Sequence, residues 1–143
     1  MSCCCNKKEI ILCEKAPAAI GPYSVAVSTD SLVFISGQLG LDKATGNLVA
    51  GGIQAQTRKA LENMKAILES AGLSMENVVK TTVFMLDMGQ FSEMNAVYAE
   101  FFTNDFPARS AIQVAGLPKN GIVEIEAIAM KPHDNDDEKD GCH

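Results

Sequence analysis

The chain has 143 residues, 47% of them hydrophobic, and a formal charge of −6, which is one domain's worth of chain with enough apolar material for a single core. An acidic isoelectric point near 4.8 and the lack of any run of lysines or arginines exclude a broad nucleic-acid footprint, because phosphate binding relies on clustered positive charge. No apolar run approaches the roughly 18–20 residues of a membrane span, and the N-terminus has no apolar signal-like stretch.

Residues 1–8 read as a flexible arm. Its consecutive Cys3, Cys4 and Cys5 belong to an odd total of five cysteines, which is no disulfide framework and predicts a cytosolic address. Surface cysteines there are open to palmitoylation, but Ser2 replaces the glycine that myristoylation requires, and an unmodified arm is the preferred expectation. There is no CxxC and no Cys/His set with zinc spacing.

Short strands are predicted at 9–13, 24–29 and 32–37, the latter two joined by "TDS", followed by the polar loop "LDKATGNL" with its turn at Gly46. Residues 52–71 carry Ile53, Thr57, Ala60, Leu61, Met64, Ile67 and Leu68 at helical spacing, and Gly72-Leu73 suits a C-terminal cap. A β-branched strand, 77–86, leads to Asp87, a candidate cap for a second helix with the stripe Phe91, Met94, Tyr98, Phe101 and Phe102. Strands at 109–115 and 122–130 flank "GLPKNG". The order βββ-α-β-α-ββ predicts an α+β domain, two helices covering one face of a single sheet.

Along 122–130 both alternating faces carry apolar residues: Val123, Ile125, Ala127 and Ala129 on one, Ile122, Ile128 and Met130 beside Glu124 and Glu126 on the other. A strand apolar on both sides is buried on both sides. With no third helix available, the expected cover is another subunit. Residues 132–143, where Asp134, Asp136, Asp137, Glu138 and Asp140 outweigh Lys139, predict a disordered acidic tail and leave the body nearly neutral.

Only two arginines are present, Arg58 and Arg109. Arg109 follows Pro107 at the mouth of a strand, and its planar fork of donors matches a carboxylate. On local features alone the commoner outcome is an ion pair, with Glu124 or Glu126 as partner.

The stretches "APAAIGPYS" (16–24), "FISGQLG" (34–40), "VVKTTVFMLDM" (78–88) and "FPARSAIQVAGLPKNGIVEIEAIA" (106–129) together closely resemble the RidA/YjgF family of reactive intermediate deaminases. The resemblance covers about residues 9–131. It implies a chorismate-mutase-like fold assembled as a homotrimer, with a central β-barrel and clefts between subunits. It further implies that Arg109 grips a substrate carboxylate, that Glu124 is associated with the hydrolytic water, and that Tyr23, Ser36, Gly37 and Asn95 line the cleft. Ala111 stands where many bacterial members have cysteine, which removes thiol chemistry and leaves a backbone N–H for substrate. Val25 stands where many have glutamine.

The implied reaction is hydrolysis of 2-imino acids, formed from 2-aminoacrylate and 2-aminocrotonate when pyridoxal-phosphate dehydratases act on serine or threonine, to 2-oxo acids and ammonia. Neither metal nor cofactor is expected. Three rival functions remain open: ribonuclease and translation inhibitor, as described for some animal relatives; a non-catalytic carboxylate-binding or chaperone-like trimer; and, more weakly, chorismate mutase by analogy of fold. Glu126, Tyr98 and Phe101 are expected to be structural, and His133 and His143 lie in or beside the tail.

Overall fold

A computed structural model of the protein describes residues 7–133. Most of the expected N-terminal arm, with its three cysteines, and the acidic tail beyond His133 lie outside the described residues.

The chain runs β1 (Glu9–Ile11), β2 (Ala26–Ser28), β3 (Leu32–Leu39), α1 (Gly52–Ser70), β4 (Val78–Met85), α2 (Phe91–Phe101), β5 (Ala108–Gln113) and β6 (Val123–Met130). One six-stranded sheet has the order β1-β2-β3-β6-β4-β5. Its neighbours are antiparallel except β4 and β5, which run parallel on either side of α2. This is the α+β arrangement expected from the pattern, with several strands one to three residues shorter and β3 two residues longer.

Helix α1 buries the predicted stripe against the sheet. It ends in a Schellman motif: Gly72 takes φ +77, its N–H donates to Glu69 O at 3.0 Å, and Leu73 N–H donates to Leu68 O at 2.8 Å. Asp87 acts one turn earlier than expected, capping the short 3₁₀ turn Met88–Gln90 through Gly89 N–H rather than α2 itself.

Two polar residues share the buried face of α1. Asn63 donates from Nδ2 to the carbonyls of Leu39 and Leu41, at 3.2 and 3.0 Å, and Gln56 Oε1 accepts from Ile122 N–H at 3.0 Å. Gly40 lets the chain cross the helix closely, since a Cβ there would stand 2.6 Å from Gln56 Cα. Together these anchor the exit of β3 and the entry of β6. Asn63→Ala removes a buried donor from both carbonyls and is expected to cost about 1–3 kcal/mol, measurable as a lower urea midpoint at unchanged m-value.

The strand β6 has the two faces anticipated for it. Val123, Ile125, Ala127 and Ala129 are buried under the helices, while Met130 is exposed on the other side. On that open face, register aligns Val27, Phe34, Ile128 and Lys80, then Glu126 with Thr82, then Glu124 with Phe84. Phe34 and Met130 are 42% and 53% exposed, so among the described residues this face carries apolar side chains that are only partly covered.

Candidate active site

The residues singled out from the sequence fall into two groups on opposite faces of the sheet. Tyr23, Ser36, Gly37 and Glu124 line one hollow of about 340 Å³, walled also by Val25, Leu41 and Pro118. Arg109 and Asn95 belong to another of about 430 Å³, with Tyr98, Phe102, Phe106 and Pro107. The separation follows from register. Arg109 pairs with Thr81, whose side chain is buried beneath the helices, whereas Glu124 pairs with Phe84, one of the alternate, open-face positions of β4.

In the first hollow, a bulge shapes the wall. Ile35 is paired with Ala127 and Gln38 with Ile125, so Ser36 and Gly37 together oppose Glu126 alone. Ser36 Oγ donates to Ser24 O at 2.6 Å, its N–H donates to Val25 O at 2.9 Å, and Gln38 Nε2 donates to Ser36 O at 3.0 Å. The "GPYS" segment is thereby laced to β3. Tyr23 is 47% exposed, and its hydroxyl accepts from Ile20 N–H at 3.2 Å, so it both closes a turn and presents a ring to the hollow. Val25 makes this part of the wall apolar.

Glycine at 37 is a steric requirement. A Cβ built there would stand 2.6 Å from Glu124 Cδ and 3.0 Å from Oε1, so the carboxylate lies flat against the β3 backbone. Burial pushes the Glu124 pKa up from its ordinary value, and the neighbouring negative charge of Glu126 adds to the rise.

Arg109 rests in an aromatic cradle. Its Cζ lies 4.7 Å from the Tyr98 ring centroid and 5.3 Å from that of Phe91, and Nη1 donates to Asn95 Oδ1 at 2.7 Å. The Tyr98 hydroxyl is hydrogen-bonded to Thr81 Oγ1 at 2.7 Å, and burial raises its pKa. Tyr98 is thus core, as its place on the stripe suggested, and also the bed of the arginine. Asn95 turns its carbonyl to Arg109.

The ion pair that local features favoured for Arg109 does not form. Among the described residues the one ion pair is Arg58 with Glu100, at 2.7 Å, and Arg109 keeps donors uncommitted to any carboxylate. Ala111 lies on edge strand β5. Val114 N–H donates inward to Met85 O at 2.8 Å, so by strand alternation the N–H groups of Arg109, Ala111 and Gln113 face the free edge of the sheet.

A sequence profile described as endoribonuclease L-PSP matches residues 13–131. The chain is 54% identical over 124 residues to the 2-iminobutanoate/2-iminopropanoate deaminase of Bos taurus, covering 87% of this chain and 90% of the relative. It is 52% identical to a RutC family protein of Pyrococcus horikoshii, covering 87% and 98%. Among solved structures, E. coli TdcF with bound serine superposes with a TM-score of 0.83 at 46% identity, covering 87% of this chain and 99% of that one. The YjgF gene product of E. coli gives the same score and identity with the same coverage.

Proposed function

From the premise that the chain belongs to the RidA/YjgF family, whose profile it matches across residues 13–131, we propose that it hydrolyses 2-imino acids to 2-oxo acids and ammonia in the cytosol, as a homotrimer. The observation that carries this is Arg109: a guanidinium held rigidly on Tyr98, Phe91 and Asn95, with no acidic partner among the described residues. Such a group is prepared for an incoming carboxylate. A mammalian relative carries the deaminase name, and a structural neighbour was solved with serine, itself an α-carboxylate.

Arg109 grips the carboxylate by a bidentate pair, and the Ala111 N–H at the strand edge offers a further donor. The imine carbon, electrophilic once its nitrogen is protonated, then faces Glu124. This carboxylate takes a proton from water as the oxygen bonds to carbon, giving a carbinolamine. It passes that proton to nitrogen. Glu124, ionised again, takes the hydroxyl proton as that oxygen's electrons form the carbonyl and the C–N bond breaks, and the departing ammonia carries the proton away as ammonium. A raised pKa suits Glu124 to both directions of transfer near neutral pH. Two glutamates in the hollow would repel a phosphodiester, which disfavours RNA as the substrate there.

One chain holds Arg109 and Glu124 on opposite sheet faces, so the reaction requires the Arg109 half of one subunit to meet the Glu124 half of another. Neighbouring copies that cover the apolar open face would meet this requirement if each brings its edge strand β5, with Arg109, to the rim of the next copy's hollow. Light scattering at micromolar concentration is expected to give the mass of three chains; a stable monomer would overturn the shared cleft. The activity is tested by coupling the protein to a threonine dehydratase and following 2-oxobutanoate and ammonia. Release faster than in its absence is expected, and an identical rate would refute the deaminase assignment.

A further inference from the structure

We propose that Glu126 acts through Glu124, as a neighbouring negative charge on the same face of β6 that sets the pH range in which the Glu124 half-site works. The inference rests on the role given to Glu124 above. It assigns a task to a residue that the sequence marks only as structural.

Glu124 and Glu126 stand two apart on β6, hence on one face, and both line the hollow beside Tyr23, Ser36 and Gly37. Their surroundings differ. Within one chain, Glu124 is half-buried and backed onto Gly37, while Glu126 is the more open of the two. A negative charge beside a half-enclosed carboxyl disfavours that carboxyl's charged form.

Among the described residues no cation is paired with either glutamate. From β3 the facing residues are Ser36 and Gly37 opposite Glu126 and Leu39 opposite Glu124, all uncharged; from β4 they are Phe84 opposite Glu124 and Thr82 opposite Glu126. The segment before β2 contributes Tyr23, and Pro118 completes the wall. Lys80 lies diagonally across from Glu126, but its Nζ donates to Ser110 Oγ at 2.9 Å. Lys119 Nζ is turned to Gly46 O at 3.3 Å. Burial and the Glu126 charge act on Glu124 in the same upward direction. Arg109 of a second copy would add its charge to every variant alike, so comparisons between variants isolate Glu126.

The test is a ¹³C-carboxyl NMR titration of the assembled protein with labelled glutamate, the Glu124 signal being assigned by its loss in Glu124→Gln. In Glu126→Gln the Glu124 midpoint should move to lower pH, and 1 M salt should shrink the difference from the parent. Glu126→Asp, which keeps the charge, should stay near the parent. The acid limb of the kcat/KM profile should move to lower pH in Glu126→Gln by the same interval, since a base must be ionised to accept a proton. An unchanged Glu124 midpoint in Glu126→Gln overturns the proposal, as do equal shifts in Glu126→Gln and Glu126→Asp, which would trace to packing. The titration requires no turnover. A protein inactive toward imines whose Glu124 midpoint still follows Glu126 would refute the deaminase assignment and leave the coupling standing.

Discussion

Arg109→Ala should lower kcat/KM for imine hydrolysis by roughly 30-fold to several thousand-fold, the range that corresponds to about 2–5 kcal/mol for truncating one partner of a desolvated charge pair. The cradle sharpens the comparison with Arg109→Lys. An ammonium keeps the charge, but it has neither the flat face that stacks on Tyr98 and Phe91 nor the fork that leaves donors for substrate while one nitrogen holds Asn95 Oδ1. Lysine should therefore recover only part of the loss. Steady-state kinetics on variants of parental native mass check the result. Parental rates in both variants would make Arg109 a structural residue.

Glu124→Gln should reduce turnover by about 10²–10⁴-fold, the usual contribution of a positioned acid–base group, while binding of the product 2-oxobutanoate stays close to parental. A carboxamide can hold water but cannot carry its proton. Gly37→Ala supplies an independent route to the same defect, because the new methyl would stand 2.6 Å from Glu124 Cδ and displace the carboxylate. The double variant should be little worse than Glu124→Gln alone, as expected of two changes acting through one group. Full additivity would mean that Gly37 matters for some other reason.

Much of the architecture was legible because it rests on local periodicity. The apolar spacing of α1, the glycine at 72 and the alternation along 123–130 each correspond to burial that a single element determines. What escaped depends on partners far away in the chain. The bulge at Ser36 and Gly37 exists only relative to β6; the glycine inside "FISGQLG" is a local sign of one, but not of what it opposes. The opposite facing of Arg109 and Glu124 is set by the registers of β5 and β6 on β4, which no count along the sequence reveals.

The family resemblance named both residues without telling that one chain holds them apart. Tyr98 was correctly legible as core, yet its service to Arg109 was hidden because a helical stripe shows which residues are buried and not what they touch. Gln56 and Asn63 are polar and break the apolar pattern. Their burial is explained only by the backbone groups of Leu39, Leu41 and Ile122 that they satisfy.

Among the described residues, the last strand in chain order is a central one. Because β6 lies between β3 and β4, a nascent chain that stops short of Val123 holds two sheet fragments, β1-β2-β3 and β4-β5, with no hydrogen-bonded strand between them. The edges of β3 and β4 then stand open, and such edges invite pairing with other chains. Glu124 and Glu126 travel on the same closing strand. A stop upstream of Val123 therefore leaves a fragment with open strand edges, and translation delivers the sheet's keystone together with the carboxylate proposed for acid–base chemistry.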